Sequence, residues 1–390
     1  MMSMAMACTA LGIDLMLPAF GDIRQAFGLA ADSTAVAGIV TAYFVGLALG
    51  QVLWGPIADR YGRKATLYAG LAVYMAGAAT SALAPSLGVL YGARFAWGIG
   101  AAGPRVAALA VVRDSFDGER MARAMSFIMA VFVLVPVVAP SLGAAILAFA
   151  SWRWVFAFGV VYAAALMVWL RRLPETLREE HRSPLEFKRV LRAAGFVVRN
   201  RQTVGYTFAL TALFGVFSSY LASSEIIVSE VFDRGPAFPL IFGGLAAVMG
   251  AAMLLNGAVV SRFGVRRLVH AVMVAFVVWA LALTAYARAH DGVPPFWPFM
   301  VGLALMLTLY ALLFPNINTI ALDPMGSVAG MAAAVTGFVT FAVGASLGAI
   351  LDRTMGESVT PLTVGFLGLG AAAVLFVLWA ERGRLFRPLR

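Results

Sequence analysis

Apolar stretches of about 20 residues recur along the whole chain, separated by short polar breaks. A helix of this length crosses the hydrocarbon core of a bilayer. Only 12% of the 390 residues are charged, against about a quarter in an ordinary soluble domain. A soluble fold of this size would lack the charge to cover its surface. The pattern therefore predicts an all-α integral membrane protein.

Twelve candidate spans are found when the apolar runs are marked between polar breaks. They cover residues 2–20, 33–57, 65–84, 87–112, 123–148, 152–170, 203–228, 238–260, 268–287, 297–320, 329–351 and 362–380. The longest polar stretch separates the first six from the last six. The expected organisation is an N-terminal six-helix bundle over 1–172, a cytosolic linker loop over 173–202 and a C-terminal six-helix bundle over 203–390.

The placement of the basic residues predicts the orientation in the membrane. The chain has 29 Lys and Arg against 19 Asp and Glu, a balance that could suggest nucleic acid. Most of the basic residues instead fall in the loops that share one side of the membrane if both termini are cytosolic, where Lys and Arg are enriched. We expect a monomeric multi-pass protein of the bacterial inner membrane, surrounded by lipid and without a nucleic-acid partner.

Several function classes are excluded by what the sequence lacks. A single cysteine, Cys8, excludes internal disulfides and Cys-rich metal sites, and three histidines leave little for another metal site. The sequence contains neither a P-loop nor an H-E-x-x-H motif. The run Gly98–Gly103 matches the letters of a dinucleotide fingerprint, but no strand precedes it, so helix packing is the better interpretation. The chain is expected to be no enzyme and to use no cofactor.

Two loops repeat each other at a constant offset of 202 residues. The loop after the second span runs over 55–64, and the loop after the eighth span runs over 257–266. Glycine, arginine, an aromatic residue and glycine coincide in the two, and the spans shift by the same amount. Both loops lie on the cytosolic side, so the repeat is parallel. Two six-helix, pseudo-symmetric halves related in this way indicate the major facilitator architecture.

The loop Gly55-x-x-x-Asp59-Arg60-x-Gly62-Arg63-Lys64 is similar to the loop 2–3 signature of the major facilitator superfamily. Seven further stretches match one branch of it, namely 13–19, 94–102, 112–114, 136–143, 151–153, 315–318 and 329–334. On these stretches the chain resembles the Bcr/CflA branch of bacterial drug:proton antiporters. The resemblance implies proton-coupled efflux of small amphipathic drugs or related compounds by alternating access, with a proton gradient as the energy source.

Three charged residues inside predicted spans are candidates for proton coupling. An ionised carboxylate in hydrocarbon is costly and is usually functional, and Asp14 lies in the first span. The resemblance implies that Asp14 and Arg94 act in proton transfer, and we expect them to pair until Asp14 is protonated. The alternative for Asp14 is a structural partner of a buried arginine. Glu225 is either a second proton site or cation selector, or a periplasmic gate residue.

Five further residues are expected to line a substrate cavity. Arg105 shares a helix face with Arg94, about 16 Å away. It would either bind an anionic group of the substrate or extend towards the cytosolic surface. Four polar side chains could donate hydrogen bonds to a substrate, namely Tyr43, Gln51, Asn316 and Asn318.

The loop 2–3 signature is expected to take part in gating, through Gly55, Asp59, Arg60, Gly62 and Arg63 together with Asp114. The resemblance implies that Asp59 faces the amino end of helix 11, which carries partial positive charge. Asp114 is expected to pair with the arginines. Ser261 stands at the position equivalent to Asp59, which predicts that the second half lacks this lock.

Pro136, Pro140 and Gly143 resemble the helix 5 motif of antiporters, in which proline bends the helix and glycine lets a neighbour approach. Ala139 and Ala144 replace glycines of that motif. This departure keeps an alternative open: a proton-coupled symporter or exporter of a small metabolite on the same fold, anionic if Arg105 binds it.

Overall fold

The computed structural model describes residues 1–116, 118–177, 179–181 and 187–385. Within these ranges the regular structure is helical throughout and contains no strand. The chain divides into two compact units, Met1–Arg189 and Val190–Arg390.

The first unit is organised around its longest buried helix. Its described α-helices are α1 (Met2–Asp14), α2 (Phe20–Ala26), α3 (Gly38–Tyr61), α4 (Arg63–Ala82), α5 (Leu87–Ser115), α6 (Gly118–Leu147) and α7 (Trp152–Leu170). Helix α5 packs against α3, α4 and α1, while α4 also packs against α7, and α1 packs against α6.

Glycine lets α5 approach its neighbours closely. A Cβ atom on Gly98 would meet the carbonyl oxygen of Tyr43, and one on Gly100 would meet the backbone nitrogen of Tyr74. Since these contacts involve backbone atoms, neither position has room for a side chain. The glycine run of α5 is thus a helix-packing surface, which confirms the interpretation given from the sequence.

Helix α1 ends at Asp14, before the end of the predicted span 2–20. Pro18 has no N–H to donate to the carbonyl oxygen of Asp14, so the α-helical bond at this point cannot form. The chain continues as a 3-10 turn over Leu17–Ala19 and then as α2. The predicted span over 2–20 thus lies within one crossing, Met2–Ala26, whose α-helix is interrupted at the proline.

The second unit is organised around α9. Its described α-helices are α8 (Phe187–Arg199, most of which belongs to this unit), α9 (Arg201–Ile226), α10 (Phe238–Phe263), α11 (Val265–Arg288), α12 (Phe296–Leu322), α13 (Ala329–Asp352) and α14 (Thr360–Ala380). Helix α9 packs against α13, α14 and α12, and α11 packs against α14 and α12. The predicted linker loop over 173–202 contains α8, and its residues 178 and 182–186 lie outside the described part of the chain.

Eleven helical segments in the described ranges are long and apolar enough to cross a membrane. They correspond to eleven of the twelve predicted spans. The remaining prediction, 65–84, falls on α4, which has 20 residues. This helix begins with Arg63 and Lys64 and is rich in alanine, glycine and threonine, so its hydropathy is lower. The many apolar helices identify a multi-pass membrane protein.

Candidate functional site

Asp14 is buried at the point where α1 ends, with 4% of its surface exposed. Its carboxylate has no hydrogen bond or ion pair within the described ranges. Helix α6 packs on this segment, since a Cβ atom on Gly143 would meet the carbonyl oxygen of Leu15. Pro136 and Pro140 lie inside the same continuous helix. The three residues of the predicted helix 5 motif thus belong to the helix that supports the Asp14 segment.

Arg94 is fully buried in the first unit and is surrounded by aromatic rings. Its Cζ atom lies 4.5 Å from the ring centroid of Tyr43 and 4.7 Å from that of Trp97. Its Nε atom donates to the carbonyl oxygen of Ile39 at 3.4 Å, whereas Nη1 and Nη2 have no hydrogen-bond partner in the part of the chain that the structure describes. A desolvated cation–π contact contributes about 2 kcal/mol, which offsets part of the cost of burying the charge.

The expected ion pair between Asp14 and Arg94 is not formed in this structure. The rings of Tyr43 and Trp97 take the place of a counter-ion for Arg94. Even so, Tyr43 contacts the segments of both groups: its ring centroid lies 4.5 Å from Cζ of Arg94, and its hydroxyl would lie 2.8 Å from a Cβ atom on Gly12, two residues before Asp14. The Tyr43 hydroxyl donates to the carbonyl oxygen of Thr9 at 3.0 Å and so ties α3 to α1. The first unit therefore buries a carboxyl and a guanidinium, each on a helix that contacts Tyr43, without an ion pair between them.

The remaining cavity candidates of the first unit, Arg105 and Gln51, are half-buried. Gln51 lies on α3, and its Nε2 atom is buried without a hydrogen-bond partner among the residues described. Gln51 and Arg94 therefore have N–H groups that a bound molecule could use. The hydroxyl of Tyr43 is already engaged, so its predicted role as a donor to substrate is not available in this conformation.

Arg63 is the centre of the predicted gating group. Its Nη1 atom donates to Oδ1 of Asp59 at 2.6 Å, and its Nε atom donates to Oδ2 of Asp114 at 2.8 Å. The Arg63 side chain is only 7% exposed. It joins the end of α3 to the end of α5, so Asp114 pairs with an arginine of the loop 2–3 signature.

The other members of the signature lie around this ion pair without joining it. Arg60 is exposed, with its Cζ atom 5.9 Å from the ring centroid of Tyr61. Gly55 is half-buried and has open space on its side-chain face. Gly62 forms the turn between α3 and α4 with a φ of 99°, a conformation that favours glycine.

Glu175 completes the group and was not predicted from the sequence. Its Oε1 atom accepts hydrogen bonds from the backbone N–H groups of Arg63, Thr176 and Leu177, and its Oε2 atom accepts one from Lys64. Partial burial alone would raise the pKa of Glu175, but the four N–H groups outweigh it and hold that pKa below the ordinary 4.5. The carboxylate thus caps the first turn of α4. The only sequence signal was an acid shortly after a predicted span.

Glu225 is buried near the end of α9, with 6% of its surface exposed. The helix then changes to one turn of π-helix over Ile227–Val231, a rare geometry that is frequent at functional sites. The two residues before Glu225, Ser223 and Ser224, donate hydrogen bonds from their hydroxyls to backbone carbonyl oxygens of the same helix. Glu225 therefore belongs to an irregular, buried helix end, and its role remains a prediction.

The two asparagines of α12 differ in how they are used. The Nδ2 atom of Asn316 donates to Oδ1 of Asn256 and to the carbonyl oxygen of Leu312, both at 2.7 Å. Its two amide hydrogens are thus engaged in tying α12 to α10. Asn318 is half-buried. Of the two, Asn318 is better placed to serve as the predicted donor to substrate.

The second unit has its own polar cluster where α9, α11 and the end of α14 meet. The Tyr206 hydroxyl donates to Oε1 of Glu381 at 2.8 Å and lies 3.1 Å from Nε2 of His270. Arg266 contacts Glu381 at 3.5 Å and donates to Oε1 of Gln202 at 2.8 Å. The second half therefore has a charged cluster of its own, built from different residues.

Asp352, the last residue of α13, is a third buried acid after Asp14 and Glu225, and the sequence analysis did not select it. It is 4% exposed, and the Ser219 hydroxyl donates to its Oδ1 atom at 2.6 Å. It lies one residue beyond the predicted span 329–351, beside Arg353, so that it resembled an outer-loop residue in the sequence.

Two units of apolar helices with charged side chains buried inside them define a polytopic membrane transporter. Residues 2–349 match the Major Facilitator Superfamily, and the chain belongs to this family. It is therefore a transporter of small molecules and not an enzyme.

Comparisons with individual proteins agree with this assignment. The chain is 28% identical over 371 residues to a protein of Haemophilus influenzae named bicyclomycin resistance protein homolog, covering 94% of this chain and 91% of that protein. It is 27% identical over 362 residues to a chloramphenicol resistance protein of Pseudomonas aeruginosa, covering 90% and 81%. A solved structure of the xylose transporter XylE of E. coli superimposes with a TM-score of 0.74 at 13% identity, covering 97% and 96%, which shows the fold alone.

Proposed function

We propose that the protein is a proton-coupled exporter of small amphipathic compounds of the Bcr/CflA type. It would work by alternating access in a bacterial inner membrane, with both termini cytosolic. Two relatives are named for resistance to bicyclomycin and chloramphenicol, which supports a drug-like cargo. The excess of basic residues in alternate loops supports the orientation.

The observation that carries the proposal is the pair of buried, opposite charges in the first unit. Asp14 and Arg94 are 4% and 0% exposed, and neither has a counter-ion in the described ranges. Such groups are costly in a membrane and mark ion and proton pathways. Tyr43 packs against Arg94 and against Gly12, two residues before Asp14, so a rearrangement of this one ring would let the two charges approach each other. Loss of a proton from Asp14 would favour the paired arrangement, and its return would favour the separated one seen here.

This exchange of partners supplies the coupling. Asp14 takes up a proton from outside, the carboxyl separates from Arg94, and the transporter moves towards the form that loads cargo from the cytosol. A proton that enters down a potential of 100 mV supplies about 2.3 kcal/mol. Release of the proton to the cytosol restores the pair and favours cargo release outside.

Aromatic side chains of the second unit support an amphipathic cargo. Phe217 stacks on Tyr310 with ring centroids 4.6 Å apart and an interplanar angle of 9°, and Phe214 packs edge-on against Phe341 at 4.7 Å. A further apolar pocket of this unit is lined in part by Phe242. Aromatic side chains of this kind, where a cavity opens beside them, accept varied apolar groups without requiring one fixed hydrogen-bond pattern.

The test compares wild type with Asp14→Asn and Asp22→Asn. Asp22 lies on α2 in the same helical crossing, Met2–Ala26, but is exposed, so it is a matched control. In an efflux-deficient host, we expect wild type and Asp22→Asn to raise resistance to some members of a drug panel, and Asp14→Asn to lose that gain. In vesicles, Asp14→Asn should lose accumulation driven by a pH gradient but keep substrate exchange without a gradient. Full gradient-driven accumulation by Asp14→Asn would refute the coupling role.

A second candidate function, transport of a small anionic metabolite, is favoured by one observation. Nη1 and Nη2 of the buried Arg94 lack an acceptor within the part of the chain described here, and a carboxylate or phosphate could supply one. Inverted vesicles under an imposed pH gradient distinguish the candidates. Export of uncharged amphipathic compounds supports the first, and proton-driven movement restricted to anions supports the second.

A further inference from the structure

Asp352 lies at the outer end of the second unit if both termini are cytosolic, and close helix packing brings it to α9. One turn earlier on α13, a Cβ atom on Gly348 would lie 2.8 Å from the carbonyl oxygen of Gly215 and 3.0 Å from the backbone nitrogen of Ser219. The small residue lets the two backbones nearly touch. The next turn of α13 therefore places the Asp352 carboxyl directly against the Ser219 hydroxyl, which donates to it at 2.6 Å.

The surroundings of Asp352 contain no cation to balance a negative charge. Within the described ranges, α12 and α14 carry no charged residue, and no ion pair includes Asp352. The only acid of α9 is Glu225, six residues beyond Ser219 and so about 9 Å further along the helix axis. Arg353 follows Asp352 but is exposed. Among the described residues, the Ser219 hydroxyl is the one side-chain donor to the Asp352 carboxyl.

The position of Asp352 on its helix adds to the cost of a charge. Asp352 is the last residue of α13, where the helix macrodipole presents its negative end, so that an anion is disfavoured. Burial removes the water that would otherwise solvate the carboxylate. One hydroxyl donor offsets only part of these two effects.

We propose that Asp352 and Ser219 form a second proton-binding site, separate from Asp14 and filled from the outer side of the membrane. The bound proton neutralises the carboxyl, and the exposed residues that directly follow it provide a short path to the outer solution. The use of this site in transport rests on the proton coupling proposed above, whereas proton binding at Asp352 does not.

A proton fits this site better than a metal ion does. Hard cations require several oxygen ligands, and Asp352 has one hydroxyl within hydrogen-bond distance. No group of three or more His, Cys, Asp or Glu side chains that could hold a metal occurs among the residues described.

Infrared spectroscopy of the purified full-length protein tests proton binding without any transported substrate. In an Asp14→Asn background, we expect a C=O band of a protonated carboxyl that persists at neutral pH. Asp352→Asn should lose this band. Glu357→Gln, which alters an exposed acid in the following loop, should keep it. Ser219→Ala should keep the band at a shifted frequency, because the hydrogen bond to the carboxyl is removed.

Two outcomes would overturn the proposal. One is an Asp352→Asn spectrum identical to that of its parent at every pH. The other is a band that is absent in sodium buffer and appears when choline replaces sodium, since this would make Asp352 a sodium ligand. Failure of the export assays with an intact Asp352 band would instead refute the proposed transport while leaving this site in place.

Discussion

The turns after the second and eighth crossings have the same backbone but different charged partners. Gly62 and Gly264 have φ values of 99° and 78° and each lies between two long helices. After Gly62, Arg63 bridges Asp59 and Asp114 near the surface. After Gly264, the ion pair uses Arg266, and its partners come from α9 and the end of α14. The two halves therefore share the backbone conformation of the turn, whereas the side-chain contacts that stabilise the turn differ between them.

The largest effect is expected from removing the arginine of the first turn. Arg63→Met leaves Asp59 and Asp114 without a common cation, and we expect it to lower the free energy of unfolding by about 2–3 kcal/mol. Arg266→Met should cost about 1 kcal/mol, because its contact with Glu381 is longer at 3.5 Å. Thermal unfolding in detergent measures both. Arg60→Met is the control, with a change within about 0.5 kcal/mol; equal losses for Arg63 and Arg266 would contradict the comparison.

The glycines of the two turns should differ in their tolerance of a side chain. A Cβ atom on Gly62 would meet the carboxylate of Glu175, while one on Gly264 would meet nothing within 4 Å. We expect Gly264→Ala to cost about 1 kcal/mol from backbone strain alone, and Gly62→Ala about 2 kcal/mol because it also displaces Glu175. The same unfolding assay applies. A Gly264→Ala protein less stable than Gly62→Ala would show that strain rather than contact decides the difference.

The cluster of the second half can be probed at Tyr206. Tyr206→Phe removes the hydroxyl that donates to Glu381 and lies beside His270, and we expect a loss of about 1 kcal/mol. A double-mutant cycle with Glu381→Gln measures the coupling. Tyr286→Phe is the control, since that residue lies on α11 outside this cluster. Additive effects of the two substitutions would mean that the hydroxyl and the carboxylate act independently.

The smallest effect, and one that depends on pH, is expected at Glu175. Its pKa is held below 4.5 in the folded protein, so its contribution is fully present above that pH and is lost as the pH falls through the lowered pKa. At neutral pH, Glu175→Gln should cost less than about 1 kcal/mol, because the group is exposed. The difference in melting temperature from wild type should shrink on acidification. Glu179→Gln serves as a control, and a difference that grew in acid would contradict the capping role.

The elements that the sequence predicted are those with a local signal. Apolar runs predicted the spans, and an acid inside an apolar run predicted that Asp14 would be buried. The missed residues depend on partners far away in the chain: Glu175 binds a residue 112 positions earlier, and Glu381 binds one 175 positions earlier. Asp352 followed a span instead of interrupting it, so its burial is visible only in the packed structure. The predicted Asp14–Arg94 ion pair is absent because the rings of Tyr43 and Trp97 surround the guanidinium instead, and no sequence spacing shows which rings will meet a buried cation.

Because α1 ends early, the first crossing consists of two helical segments joined by a short turn. Helix α1 over Met2–Asp14 and α2, which starts at Phe20, are linked by a short segment that contains the 3-10 turn Leu17–Ala19. Bending there breaks no further α-helical bond at the Asp14 carbonyl, since Pro18 supplied none. One missing N–H thus makes the first crossing easier to bend beside its buried carboxyl.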